Sequence, residues 1–495
     1  MNTPDLESFT QMAGQSGLVP VHRTIIADLD TPLTIFAKIA GGRSHAFLFE
    51  SMEGGEKWGR YSFIGLDPLA SFTSNGSTVR VTRAEAPGGA EEITDVNPLR
   101  ELRKLLGSFD ASRAPGLPRF FGGAVGFLGY DMVRFIEEIP DSNPPLDMPD
   151  SSFMVPRLVL IHDAVQQRLT VVCNVVVTGG DDHRALYEDA VRRIDEVIDQ
   201  VRAPLPADVT GPVPPCPAHT FTSNMEKDGF EAMVERAKEY ILAGDIIQVV
   251  LAQRFHARTD LDPFLLYRSL RHINPSPYLF YLHLGDMVLI GSSPEILVRL
   301  ENGEIELRPI AGTRRRGATP EEDKALEEEL LADPKERAEH LMLVDLGRND
   351  VGRVAEGGSV RVDDLLVIER YSHVMHIVSG VRGRLAAGRD QFDVFEACFP
   401  AGTVSGAPKI RAMEIIDELE PERRGPYAGA VGYFGFSGNM DFCITIRTFV
   451  MRGNDLWVQA GAGIVADSVP EKEYEETINK ARGLRRAVEL VEEGF

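Results

Sequence analysis

Gly432-Tyr433-Phe434-Gly435-Phe436, Ser437-Gly438-Asn439, an apolar run over 442–450, Gly453-Asn454-Asp455, and Leu456-Trp457-Val458-Gln459 follow one another near the C-terminus. Aromatic and β-branched runs punctuated by Gly and Asn are hairpin chemistry. No helical segment separates these strands, and a parallel pair would need a crossover of a dozen or more residues. The stretch therefore predicts an antiparallel meander, not a βαβ series.

Upstream, Ile296-Leu297-Val298-Arg299-Leu300 and Ile305-Glu306-Leu307-Arg308 flank Asn302-Gly303, the strongest two-residue hairpin signal. A helix is predicted over 223–243. Phe230, Met233, Val234, Ala237 and Ile241 form its stripe, Ser223-Asn224-Met225-Glu226 its capping box, and Gly244 its stop. Further back, Ala46-Phe47-Leu48-Phe49, Tyr61-Ser62-Phe63-Ile64 and Arg157-Leu158-Val159-Leu160-Ile161 read as strands, the last pairing with Leu169-Thr170-Val171-Val172. Leu186, Ala190, Ile194, Val197, Ile198 and Val201 recur at the helical period. Pro204, Pro206, Pro212, Pro214, Pro215 and Pro217 then make a helix untenable and favour extended chain. A chain of 495 residues exceeds one core, so two domains are expected. They are 15–202, interleaved with the core, and 220–495, joined by the proline-rich linker 203–219. The class is α+β, with large antiparallel sheets covered by helices.

A formal charge of -23 argues against nucleic acid as a partner, because phosphate contacts need a basic surface. An anionic substrate would need locally concentrated cations. No stretch approaches the roughly 18 apolar residues of a membrane span, and the acidic N-terminus resembles neither a secretory signal nor a transit peptide. Neither membrane nor export is expected; the cytoplasm is. Cys173, Cys216, Cys398 and Cys443 form no CxxC pair and read as plain thiols.

Two helical segments carry carboxylates at ligand spacing. Glu336 and Glu339 follow Pro334 at i and i+3; Glu473 and Glu476 follow Pro470 likewise, with Lys480 on the same face. Four such carboxylates on facing helices suit one hard divalent cation, Mg²⁺. A solvated acidic face is the other reading of that spacing. Gly461-Ala462-Gly463-Ile464-Val465-Ala466 matches a dinucleotide fingerprint, but Asp467-Ser468-Val469-Pro470 delays the helix that should meet the pyrophosphate. Close approach of bare backbone to a small ligand is the better use of these glycines.

Together the C-terminal motifs resemble the chorismate-utilising enzymes, most closely their anthranilate synthase component I (large-subunit) branch. They include Gly244-Asp245-Ile246-Ile247-Gln248, Asn274-Pro275-Ser276-Pro277-Tyr278, Gly291-Ser292-Ser293-Pro294-Glu295 and Arg308-Pro309-Ile310-Ala311-Gly312-Thr313-Arg314. Glu339-His340, Leu346-Gly347-Arg348-Asn349-Asp350 and Tyr371-Ser372-His373-Val374-Met375-His376 follow. Phe399-Pro400-Ala401-Gly402-Thr403-Val404-Ser405-Gly406-Ala407-Pro408-Lys409, Gly425-Pro426-Tyr427-Ala428-Gly429 and Ile444-Thr445-Ile446-Arg447 complete the set. The N-terminal part matches more loosely, through Leu48-Phe49-Glu50-Ser51 and Gly122-Gly123-Ala124-Val125-Gly126.

The resemblance implies sheets packed as a sandwich with helices outside. It also implies conversion of chorismate and ammonia to anthranilate and pyruvate, for tryptophan biosynthesis. Glu339 and Glu476 would ligate Mg²⁺, with Glu336 and Glu473 ligating directly or through water. Arg447, Tyr427, Gly461, Ala462, Gly463, Lys480, Gly312 and Thr313 would bind substrate. Glu295 would be the general acid and His376 would serve pyruvate elimination, ahead of nearby His373, with Gln248 and Thr403 also catalytic. Gln248 stands where water-using relatives carry a lysine base, and Ala311 where aminodeoxychorismate synthases often carry a nucleophilic lysine. Both favour direct amination; aminodeoxyisochorismate synthases share both residues. Glu50, Ser51, Pro275, Pro277, Tyr278, Leu279, Val431 and Tyr433 would form a feedback site for L-tryptophan. Beyond Ser51, the segment through Trp58 is shorter than in some relatives and carries no further ligand assignment. A glutamine amidotransferase subunit (component II) would supply ammonia, in a heterotetramer with two copies of each subunit.

Overall fold

The computed structural model describes residues 2–52, 59–84, 89–112, 114, 116–371 and 374–494. Among these residues, 22 strands join by antiparallel pairing into one branched network. It branches at strand Ser151–Asp163, which pairs with Tyr61–Asn75 on one edge and with Gly123–Leu128 and Arg168–Val176 on the other.

One wing leads through His45–Glu50, Tyr278–Leu284, Met287–Ser293, Thr448–Arg452 and Asp455–Ile464 to Gln248–Arg258. The other leads from Gly123–Leu128 through Ala430–Gly435, Met440–Ile444, Ile296–Glu301 and Glu304–Leu307 to Val374–Arg384. Both wings mix strands from either side of the proline-rich segment, in which Ala207–Thr210 form one helical turn.

Alternation of side chains along each strand packs the wings face to face. Phe47, Phe280, Leu282, Val431 and Tyr433 enter the layer between them. Their neighbours Leu48, Leu279 and Tyr281 turn outward to helices Pro32–Ile39, Pro263–Ile273 and Pro470–Glu493. On the other wing Phe434 stacks on Phe392 of helix Gln391–Cys398, ring centroids 4.2 Å apart. The result is a sandwich with helices outside.

The Asn302-Gly303 hairpin forms as expected, with φ of 52° and 82° at its two central residues. Two expectations are displaced. The helix expected over 223–243 is Lys227–Ala243, because Ser223 serves the sheet instead of the cap. Its hydroxyl donates to Gln253 Oε1 at 2.6 Å, and Thr222–Ser223 pair with His256 and Phe255. Gly244 still ends that helix, at φ 86°. The meander is broken as well. The run 442–450 becomes two strands, Met440–Ile444 and Thr448–Arg452, in different wings. Residues 445–447 carry the chain across, and Arg447 has a φ of 50°. That left-handed conformation costs a non-glycine residue about 1–2 kcal/mol.

Candidate active site

Strand ends, the crossing at 445–447 and two helices surround a cavity of about 490 Å³. Helix Pro334–Gly352 starts where proline and a capping carboxylate coincide: Asp333 accepts from the amides of Lys335 and Glu336 at 2.9 and 3.3 Å. The start brings Glu336 and Glu339 to the cavity wall. Helix Pro470–Glu493, also opened by proline, brings Glu473, Glu476 and Lys480.

Burial raises the pKa of Glu339; repulsion from Glu336 and Glu476 adds to it, while the Gln248 amide and Lys480 oppose it. Glu473 is raised by burial, against the Ser468 hydroxyl, and by Glu476. Basic groups hold the other two carboxylates. Lys480 Nζ lies 2.8 Å from Glu476 and donates to the Gly461 carbonyl at 3.0 Å; Arg314 lies 3.0 Å from Glu336. Among the described residues no three such side chains converge closely enough to hold an ion in this arrangement. The donor set nevertheless fits a hard divalent cation: four carboxylates repel one another around a single space, with no Cys and no His among them.

Glu295 lines the same cavity. Its pKa is pushed up to about 8 by burial, against the Thr403 hydroxyl and the charges of Arg447 and Lys480. His376 Nδ1 sits 3.1 Å from the Gly312 carbonyl and 3.0 Å from the Thr313 hydroxyl. With Nδ1–H donating to that carbonyl, a neutral ring presents Nε2 as an acceptor. Burial lowers its pKa and Arg447 adds to the effect. The Gln248 side-chain oxygen is buried without a hydrogen-bond partner.

Strand Asp455–Ile464 turns Gly461 and Gly463 to the cavity. A Cβ on Gly461 would stand 2.7 Å from the Tyr427 hydroxyl, and one on Gly463 2.6 Å from Gln248 Nε2. Ala462 alternates away into the core packed under the cavity. Burial pushes the Tyr427 hydroxyl up to about 12.

Apart from Ala462, every residue expected to act on substrate or metal therefore lines one space. Ser372 and His373 lie outside the described residues. Lys335, Gln459 and Ser468 also line it, though the sequence assigned none of them to the site. Lys335 was visible beside Glu336, yet its pairing with Asp467 at 3.1 Å comes from the far helix start.

A second, smaller pocket, of about 60 Å³, opens between the wings. Glu50, Ser51, Pro277, Tyr278, Leu279, Val431 and Tyr433 line it; Pro275 does not. Arg119, Arg299 and Asp441, none of them expected as a ligand, do. Segment 53–58 lies outside the described residues.

The family model for chorismate binding enzymes matches residues 44–486. Anthranilate synthase component 1 of Aquifex aeolicus is 49% identical over 500 residues, spanning 99% of this chain and 98% of the relative. The protein of that name from Cereibacter sphaeroides is 50% identical over 488 residues, spanning 98% and 97%. The crystal structure of anthranilate synthase component I from Streptococcus pneumoniae matches with a TM-score of 0.76 at 38% identity, covering 93% of this chain and 99% of that one. Sandwich, cavity and near full-length similarity agree, and the chain belongs to the chorismate binding enzyme family.

Proposed function

We propose that the chain is the chorismate-aminating component of an anthranilate synthase, a carbon–oxygen lyase that turns chorismate and ammonia into anthranilate and pyruvate for tryptophan biosynthesis. One observation carries the reading: Glu295, a carboxyl that keeps its proton at neutral pH, shares a cavity with Arg447, Lys480 and His376.

Chorismate is a dianion, and the cavity offers local cations inside a protein of charge -23. Arg447 takes the enolpyruvyl carboxylate, a bidentate task suited to guanidinium. Tyr427, Lys480, Thr313 and the bare backbone at Gly312, Gly461 and Gly463 complete the cradle. Mg²⁺, when bound, would supply positive charge for the ring carboxylate; Glu339 and Glu476 would hold it, together with Glu336 and Glu473.

Ammonia adds at ring C2 as the C4 hydroxyl departs. Glu295 donates the proton that lets it leave as water, with Thr403 beside it in the cavity wall. His376 Nε2 then takes the C2 proton while the C3–oxygen bond breaks. Pyruvate leaves as its enol and the ring becomes aromatic. Gln248 is an amide and Ala311 a methyl, so neither activates water nor adds to the ring.

Ammonia comes from a glutamine amidotransferase subunit, in a heterotetramer with two copies of each chain. L-tryptophan binds the pocket at Glu50 and Ser51 and lowers turnover. Its buried Tyr433 hydroxyl, which has no hydrogen-bond partner, supports a ligand there. On this reading 15–202 supply regulation, 203–219 the linker and 220–495 the catalytic residues, in the cytoplasm.

The test mixes the purified chain with chorismate, Mg²⁺ and ammonium salt at mildly alkaline pH, following anthranilate fluorescence and pyruvate. Both signals should rise and vanish with EDTA. Chorismate loss yielding an amino-deoxy product without pyruvate would replace the reading with an aminodeoxyisochorismate or aminodeoxychorismate synthase. No chorismate consumption would reject all three.

A further inference from the structure

Arg314 follows Gly312 and Thr313 on strand Ile310–Arg315 and stands behind the cavity wall. Each guanidinium nitrogen meets a different carboxylate. Nε is 2.9 Å from Glu329, Nη1 3.0 Å from Glu336, and Nη2 2.9 Å from Asp333. Nη1 also donates to the Thr313 carbonyl at 3.0 Å. One side chain thus ties the strand to the end of helix Pro320–Ala332 and to the start of helix Pro334–Gly352.

The consequence for Glu336 is an asymmetric carboxylate. Oε1 is held by Arg314. Oε2 turns toward Gly312, where a Cβ would lie 3.2 Å from it. Gly312 has a φ of 65° and no side chain to cover that oxygen.

We propose that Arg314 is a positioning residue for the divalent cation, anchoring Glu336 by one oxygen so that the other stays presented to the cavity. The proposal rests on reading Glu336 as a ligand of that cation. Outer hydrogen bonds to ligating carboxylates orient them, and their loss typically weakens metal binding about 10–100-fold.

The measurement is Mg²⁺ affinity of the full chain by calorimetry after EDTA stripping, without substrate, with circular dichroism to confirm folding. Arg314→Met should weaken binding about 10–100-fold. Arg314→Lys keeps the charge but loses the fork, and should also weaken it, which keeps the test usable if the Met variant fails to fold. Glu329→Gln removes a different partner of Arg314 and should leave the affinity unchanged. Glu336→Gln should weaken binding, and adding Arg314→Met to it should weaken it no further. Unchanged or tighter binding in both Arg314 variants, with Glu336→Gln still weakened, overturns the proposal alone. If Glu336→Gln binds Mg²⁺ like the parent, the ligand reading itself fails.

Discussion

The two cavities differ in how their charges are settled. Beside the smaller one, Glu50 accepts from the Tyr267 hydroxyl at 2.5 Å and from Arg271 at 3.0 and 3.2 Å. Asp441 accepts from Arg299 at 2.9 Å and from the Tyr278 hydroxyl at 2.9 Å. In the larger one, burial outweighs every favourable contact of Glu295, Glu339 and Glu473 and raises all three. The Gln248 oxygen there has no partner. A pocket whose charges cancel internally can hold a ligand without reacting with it. One left electrostatically unfinished is ready for a dianion, a cation and a proton to complete it.

The contrast breaks first at Glu295. Glu295→Gln should lower turnover about 10²–10⁴-fold with little change in KM, the cost of removing a general acid. Anthranilate fluorescence measures this, and near-parental turnover would erase the distinction between the pockets. Because the folded pKa is raised from 4.5 to about 8, the acid form is lost as pH rises through about 8. Parental kcat should therefore decline above that pH. The same shift makes the fold lose stability as pH climbs from 4.5 to about 8, since the folded carboxyl keeps its proton longer than the unfolded one. The Gln variant should lack both trends.

Arg447→Lys comes next. It keeps the charge and loses the planar fork, so KM for chorismate should rise about 10–100-fold, equivalent to about 1.5–3 kcal/mol for charge-assisted hydrogen bonds. An unchanged KM would detach the arginine from the substrate. In the smaller pocket, Glu50→Gln should leave turnover in the absence of tryptophan unchanged, weaken inhibition by tryptophan, and cost about 1–3 kcal/mol of stability through the unpaired Arg271. A large loss of uninhibited turnover would merge the two pockets into one site. Least of all, Tyr433→Phe removes a hydroxyl with no hydrogen-bond partner, and chemical denaturation should show a change under about 1 kcal/mol.

Local chemistry was legible and long-range closure was not. Asn302-Gly303 announced its turn because two positive φ values are needed within two residues. Pro334 and Pro470 announced helix starts, and from those starts the glutamate spacing follows. Ser223 misled because its hydroxyl does accept from a local amide, that of Met225 at 3.2 Å, but also donates to Gln253 thirty residues on. Pairing with the sheet moves the helix start downstream. The break at 445–447 was invisible for a related reason: Ile444-Thr445-Ile446-Arg447 is strand-prone throughout, and its left-handed arginine is imposed by strands on both sides. The Arg299–Asp441–Tyr278 cluster spans 163 residues and has no local signature. That the glutamate pairs share one cavity was implied by family resemblance; spacing alone favoured a solvated face.

The crossing at 445–447 gives the molecule a calliper. One jaw is Met440–Ile444, bonded to Ile296–Glu301; the other is Thr448–Arg452, bonded to Met287–Ser293. Arg447 sits at the pivot and lines the large cavity, while Asp441 and Cys443 of the first jaw line the pocket beside Glu50. One strand and the crossing that follows it therefore wall both spaces, so a few residues of continuous backbone join the small pocket to the large one.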